Sequence, residues 1–381
     1  VTMRVVGYAY PWDVVAPGFV DRARELGVDA VAVALSYHST RAATPWSRET
    51  STVLAPTAAL YRPVRDAGWG SLRPAAASWL PSEDPGADAV AVLNAADIPA
   101  LGWIVLTHNS FLGVANPELS VMNCLGEQYP WALCPSNPET IRYCATLATE
   151  ATRGLNLAGT VLEAAGQMGA VHQCQHEKTD GAWSPAVARL LSVCCCEHCA
   201  VRWSADPDEV RMALRGTVFR LIAGGESSSA TPEELLPGDL ATRILAGRHA
   251  ATDELRRAIQ EGLGEGHVTV HASPDPWATG ALPGLTPATG QDVDAVVTPC
   301  WTPIDTSERT VREARAQLPA NVSVGAYVTG VAATPRPELP SDAARLAAAG
   351  ADELHLYHLG LAGPARWPHL QAAATAAHSA D

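Results

Sequence analysis

The stretch Gly159-Thr-Val-Leu-Glu163 is a short apolar run that ends on a carboxylate. Read as a strand, Gly159–Leu162 buries small, β-branched and aliphatic side chains, and its carboxyl end releases one acidic group, Glu163. The same grammar recurs along the chain. Met3–Ala9, Ala30–Leu35, Leu101–Thr107, Val268–His271, Ala295–Thr298, Val322–Val328 and Glu353–Tyr357 are runs of Val, Ile, Leu or Ala that close in polar or aromatic residues. Helical stretches such as Pro138–Arg153, Asp305–Gln317 and Ser341–Ala349 lie between them, the last with Ser341 as its expected N-cap. Eight strands alternating with helices predict an α/β chain, a (β/α)8 TIM barrel with long loops after strands two and four. A barrel of 381 residues is one domain, spanning 1–381.

The two long loops break the otherwise even spacing. Ser36 to Ala100 is rich in Pro, Trp, Arg and Thr in its first half and is expected to form a hairpin or flap, with Val53–Val64 as its strand-like part. Residues 163–266 hold a cysteine cluster and two expected helices, Asp206–Ile222 and Gly238–Gly262. Gly224–Thr231 is too short for an interdomain linker.

Charge narrows the partners. With 40 acidic against 26 basic residues, the net charge is −14 and no Lys/Arg-rich run interrupts it. Nucleic acid and anionic membrane surfaces are therefore not expected partners. No segment offers the roughly 18 apolar residues a spanning helix needs, and the first residues do not read as a secretory signal. The expected location is the cytoplasm, and a homo-oligomer is allowed.

Nine cysteines are an odd number, which argues against a pure disulfide framework. Cys194, Cys196 and Cys199 stand as C-x-C-x-x-C within CCCEHC. Thiolates at that spacing can wrap one zinc ion, which favours a tetrahedron of soft ligands. Cys134, in CPSNPE ahead of the helix after strand three, is the expected fourth ligand, because neighbouring loops of a barrel meet. Cys124, Cys174 and His198 are the alternatives.

This pair of segments resembles the zinc site of the family 42 β-galactosidases, which are barrel glycoside hydrolases. The resemblance covers strands three to four and their loops. It implies a structural zinc on Cys134, Cys194, Cys196 and Cys199, and a general acid/base at Glu163. Two departures qualify it. Leu162 stands where that family carries Asn, and strand seven ends at Tyr327, where the family's nucleophilic Glu would be.

The residues support a general acid independently. A carboxyl at the carboxyl end of an apolar strand sits at the barrel mouth, partly desolvated, and its pKa should rise. Glycoside cleavage needs a second carboxylate. Glu177 and Asp275 are the leading candidates and Asp13 the third, the partner being expected near Lys178, His176 or His271. The strand ends gather further groups suited to sugars: Tyr8, Tyr10, Trp12, Asp13, Tyr37, His38, Arg41, His108, Asn109, His271, Trp301, Tyr327, Tyr357 and His358, with His176 and Lys178 from the loop after strand four. His172 and His176 are four apart, a metal-compatible spacing on a helix, but their polar, Gly-rich surroundings favour hydroxyl contacts. No Walker loop, G-x-G-x-x-G or G-x-S-x-G appears, and Cys300 has no assignable His partner. The expected function is a glycoside hydrolase for a small oligosaccharide or glycoside. The alternatives are a sugar isomerase, epimerase or lyase, and a carbohydrate-binding barrel without catalysis.

Overall fold

The structure is a computed structural model that describes residues 2–171, 178–179, 181–225, 228–332 and 337–379. Eight parallel strands close on themselves: β1 Arg4–Ala9, β2 Ala30–Tyr37, β3 Ala100–Val105, β4 Gly159–Glu163, β5 Val268–His271, β6 Ala295–Pro299, β7 Ser323–Thr329 and β8 Glu353–Tyr357. Each pairs with its neighbour in sequence, and β1 pairs with both β8 and β2, so the barrel has no open edge. This is the (β/α)8 TIM barrel that the alternation predicts.

Successive side chains of a strand point to opposite faces. Val5 and Ala9 of β1, Val31 and Val33 of β2, Ile104 of β3, Leu162 of β4 and Leu354 and Leu356 of β8 pack outward, into one cluster with the helices. Val6, Tyr8, Ala32, Trp103, Val161 and Val297 form the second cluster, inside the barrel. Glu163 shares the parity of Val161, and so turns inward.

The insert after β2 forms a hairpin, one of the two expected forms, but its strands are Thr40–Ala43 and Thr52–Ala55 in place of a strand-like part over 53–64. Thr44 Oγ1 donates to Thr50 O at 2.6 Å and stabilises the turn. Ala59–Leu60 then pairs antiparallel with the carboxyl end of β2, Tyr37 opposite Ala59. The hairpin therefore lies at the barrel mouth, where Trp46 Nε1 donates to Ala362 O in the loop after β8 at 2.8 Å. Ser341 is not an N-cap: the helix starts earlier, at Leu339, because Pro340 suits the first turn, and Ser341 Oγ donates to Glu338 O. Between β4 and β5 lie Pro185–Leu191, Glu197–Ala200, Pro207–Gly224 and the long helix Leu240–Leu263. No helix among the described residues is long and apolar enough to cross a membrane.

Candidate active site and metal centre

Glu163 ends β4 inside the closed barrel and is only 4% exposed. Trp103, on the neighbouring β3, donates its indole N–H to Oε2 at 2.9 Å. His271, at the end of β5, brings Nδ1 to 3.5 Å from the same oxygen. Burial pushes the Glu163 carboxyl from its ordinary 4.5 to about 8, against the opposing effect of the Trp103 N–H. Glu163 is consequently protonated at neutral pH, the state a general acid needs. His271 moves the other way: burial, reinforced by the nearby His355, holds its imidazole neutral.

Aromatic rings form the surroundings. Tyr8 meets Trp103 edge-on at 4.9 Å and Tyr327 at 5.0 Å. Tyr37 packs against Trp103 at 4.8 Å. Tyr8, Tyr37 and Tyr327 are buried, with phenol pKa values raised first by burial and then by neighbouring acidic groups including Glu163 or Tyr10. Tyr8 lies too deep for a sugar contact. Trp301 is the half-exposed ring above this layer, 5.5 Å from Tyr327 and 5.2 Å from Tyr357. His38 stacks between Tyr37 and His108, at 4.2 and 4.5 Å.

A second buried carboxyl belongs to the loop after β1. Asp13 sits in the short helix Pro11–Val14 and accepts the backbone N–H of Tyr10 at 3.1 Å. Its Oδ2 is 3.9 Å from Nδ1 of His358. A Cβ on Gly360 would fall 1.9 Å from that oxygen, so only glycine allows the β8 loop to approach. Burial raises Asp13 from 3.8 to about 7, opposed by the Tyr10 N–H and the Arg22 charge. Both Asp13 and Glu163 lie within electrostatic reach of the Tyr357 hydroxyl. Asp13 also lines a cavity of about 790 Å³ with Trp12, Arg22, Trp46, Arg48 and Gly360. Trp12 stacks on Tyr10 at 4.5 Å, and the Arg22 guanidinium lies 4.3 Å from the Trp46 ring.

Several expected sugar-binding residues have other engagements. Asn109 caps the helix Ser110–Ala115 through Leu112 N at 3.0 Å and donates to the Tyr143 hydroxyl, so both ends of its amide serve the fold. Arg41 is exposed on the hairpin, and Lys178 is exposed. Asp275 is held by Arg189 at 2.5 Å and caps the Trp277 N–H at 3.0 Å. His172, Cys174, His176 and Glu177 lie outside the described residues. Sequence reasoning missed Trp103, Glu353 and His355, all inside the barrel. The signal for the last two was the strict alternation of Glu353-Leu-His-Leu-Tyr357, which turns three polar residues inward.

The cysteines converge as expected. The sulfurs of Cys134, Cys194, Cys196 and Cys199 all lie within 4.8 Å of one another. From Cys134 Sγ the distances are 3.7 Å to Cys194, 3.6 Å to Cys196 and 3.5 Å to Cys199. A tetrahedron with metal–sulfur bonds of about 2.3 Å has edges of roughly 3.8 Å, so the group is preshaped for one metal ion. Ser136 Oγ is 3.2 Å from Cys199 Sγ. The buried guanidinium of Arg248 lies close by: burial lowers its pKa to about 10, while Cys199, Cys194 and Asp275 oppose that.

No protein-family model and no curated protein matches the chain. Solved structures do. The glycoside hydrolase domain of PgaB (BpsB) from Bordetella bronchiseptica is similar over 97% of this chain and 98% of that one, at 15% identity and a TM-score of 0.55. The α-L-fucosidase isoenzyme 2 from Paenibacillus thiaminolyticus is similar over 98% of this chain but 49% of its own, at 11% identity and a TM-score of 0.56. The catalytic domain of β-amylase from Paenibacillus polymyxa covers 97% and 96%, at 9% identity and a TM-score of 0.55. At such identities the likeness is one of fold.

The buried carboxyls make stability depend on pH. The folded Glu163 keeps its proton up to about pH 8, while the unfolded chain loses it near 4.5. Between these values the unfolded state binds fewer protons, so stability falls as pH rises. The loss across the window is on the order of 5 kcal/mol. Asp13 acts in the same direction up to about pH 7. Urea unfolding at a series of pH values should show Glu163→Gln with a clearly shallower decline than the parent. Parallel curves for the two proteins would mean that Glu163 ionises normally.

Proposed function

We propose that the chain is a glycoside hydrolase for a small oligosaccharide or glycoside, with Glu163 as the general acid. One observation carries this reading: an inward carboxyl at the carboxyl end of β4, kept protonated by burial and oriented by the Trp103 indole. Glycosidic cleavage delivers a proton to the leaving oxygen while a carboxylate stabilises or traps the oxocarbenium-like sugar. Of the described carboxyls Asp13 fits that second role better than Asp275. Asp13 is buried at the mouth and lines the large cavity, whereas Asp275 is bound to Arg189. The fold neighbours with TM-scores above 0.5 are carbohydrate-active enzymes by their printed names, in keeping with a carbohydrate substrate.

A second reading follows from Tyr327. This neutral phenol occupies the end of β7, where a nucleophilic carboxylate would complete the resemblance to family 42. A barrel that binds sugar without cleaving it would show saturable binding and no turnover.

Leaving-group dependence separates the two. Glu163→Gln should cut turnover at least about a hundredfold on alkyl glycosides, whose leaving oxygen needs a proton. On aryl glycosides with acidic phenols the loss should be much smaller. Equal losses on both classes would assign Glu163 to binding or folding. Asp13→Asn should lower turnover on both classes alike.

The metal reading is zinc, bound by Cys134, Cys194, Cys196 and Cys199. Four thiolates close the shell and leave no position for a reacting water, so the ion would fasten loops and take no part in the reaction. Elemental analysis should find one zinc per chain. Cys196→Ser should reduce that content and lower the melting temperature. A protein that is fully folded and metal-free, with no change on adding zinc, would exclude the assignment.

A further inference from the structure

Below Glu163 a line of buried polar groups runs down the barrel interior. His271 Nε2 lies 2.8 Å from the Tyr8 hydroxyl, which lies 3.0 Å from His355 Nδ1. His355 Nε2 is 2.8 Å from Glu353 Oε2, and Arg4 reaches Glu353 Oε1 at 3.3 Å. Tyr8, His271 and His355 are fully buried. Gly325 on β7 leaves room for the His355 ring, since a Cβ there would fall 2.8 Å from Nε2.

With a single proton on His355, the two ends of this line fix the direction of every hydrogen bond. Burial alone would raise Glu353, but the His355 hydrogen bond and the Arg4 charge outweigh it and hold the carboxyl at about 2. It is therefore an acceptor only. A His355 with one proton places it on Nε2 to meet that oxygen and leaves Nδ1 as a lone pair, whereas an imidazolium would donate from both nitrogens and reverse the line. That lone pair takes the Tyr8 O–H. The Tyr8 oxygen then accepts from His271 Nε2–H, and neutral His271 is left with a lone pair on Nδ1. Among the described residues that atom has no hydrogen-bond partner. It stands 3.5 Å from Glu163 Oε2. A lone pair at this place repels a carboxylate and attracts a carboxylic acid.

We infer that His355 carries a single proton and that Arg4, Glu353, His355, Tyr8 and His271 form a one-way hydrogen-bond relay that holds Glu163 in its protonated form. Glu353 and His355 are thus positioning residues, acting on Glu163 through others. Among the described residues, the phenols of Tyr8, Tyr37, Tyr327 and Tyr357, all neutral, also feel the Glu163 charge. His271, unlike these phenols, can reverse its donor. The relay's catalytic meaning rests on the proposed role of Glu163 as acid; the protonation itself does not.

The test reads Glu163 directly, without substrate. Infrared difference spectra of protein labelled with carboxyl-¹³C glutamate, with Glu163→Gln assigning the band, give the titration midpoint of Glu163. Glu353→Gln removes the anchoring charge and supplies an amide N–H that can turn the line around. His271 Nδ1–H then faces the carboxylate, and the midpoint should fall by about one pH unit or more. Tyr8→Phe, which breaks the line at its centre, should lower it also. In the parent protein, ¹⁵N imidazole shifts at neutral pH should show both His271 and His355 protonated on Nε2. Protonation of His271 on Nδ1 overturns the relay, as does an unchanged midpoint in folded Glu353→Gln. The tautomer measurement needs no variant, so it decides even where a substitution prevents folding. Absence of glycosidase activity in a parent protein with both Nε2 tautomers would defeat the proposed function and leave the relay standing.

Discussion

A side chain that points into a closed barrel has no water to turn to. Every polar atom there must find its partner on another strand, or carry the cost of being buried alone. Tyr8, His271, His355, Glu353 and Glu163 come from four different strands and meet inside the same closed interior. Glu353, at the amino end of β8, is satisfied by Arg4, which lies opposite it in the β1–β8 register. Glu163, at the carboxyl end of β4, has beside it among the described residues only one basic group, the neutral His271, and burial prevails there. One carboxyl is thus ionised and the other protonated within the same barrel. The pairing of each with its environment, and nothing intrinsic to the residue, makes the difference.

The loops around the mouth are tied by different means. The hairpin after β2 is fastened to the β8 loop by the Trp46 indole, with Arg22 and Trp367 packed on that ring. On the other side the loops after β3 and β4 meet at the four cysteines. Around the proposed zinc, four thiolates leave an excess of negative charge in a buried place. Arg248 supplies a cation there, with its guanidinium over the Trp277 ring of the β5 loop. Asp275 is drawn to the same region by Arg189. That position explains why a carboxylate so close in sequence to β5 serves the loop framework in place of the mouth.

The barrel was legible because period-two strands and intervening helices leave a pattern that survives in a single sequence. Six residues of β1 or five of β8 are enough to show which face is apolar. The cysteine cluster was legible for a related reason: three of its members are nearly adjacent, and Cys134 precedes a helix whose place was predictable. The resemblance to family 42 rests on those same residues. Pairings between distant strands were not legible. Nothing in Glu353-Leu-His-Leu-Tyr357 says that His355 meets Tyr8, because that contact depends on barrel closure. Asn109 misled for a local reason: an Asn at a strand's end reads equally as a sugar ligand and as an N-cap, and Leu112 N decided it. The bounds of the hairpin strands were misplaced because Thr40–Ala43 carries no apolar run, and its pairing is held by the turn at 44–50.

Tyr327 constrains any hydrolytic mechanism on this barrel. It is buried, its phenol is pushed well above the ordinary range by burial and by Glu163 and Tyr8, and it faces the interior that Glu163 occupies. A neutral phenol in that setting is a poor nucleophile, and ionising it beside Glu163 would cost more still. The negative charge that balances an oxocarbenium ion must therefore come from a loop and not from the end of β7. The proposed source, Asp13, lies in a four-residue helix whose start is fixed by Tyr10 and whose flank is closed by Gly360. Its carboxyl is held rigidly, next to His358, whose neutral imidazole adds no opposing charge. With a pKa of about 7 it is half protonated at neutral pH in the free protein, so the ionised half of the molecules is the fraction in which Asp13 could balance an oxocarbenium ion.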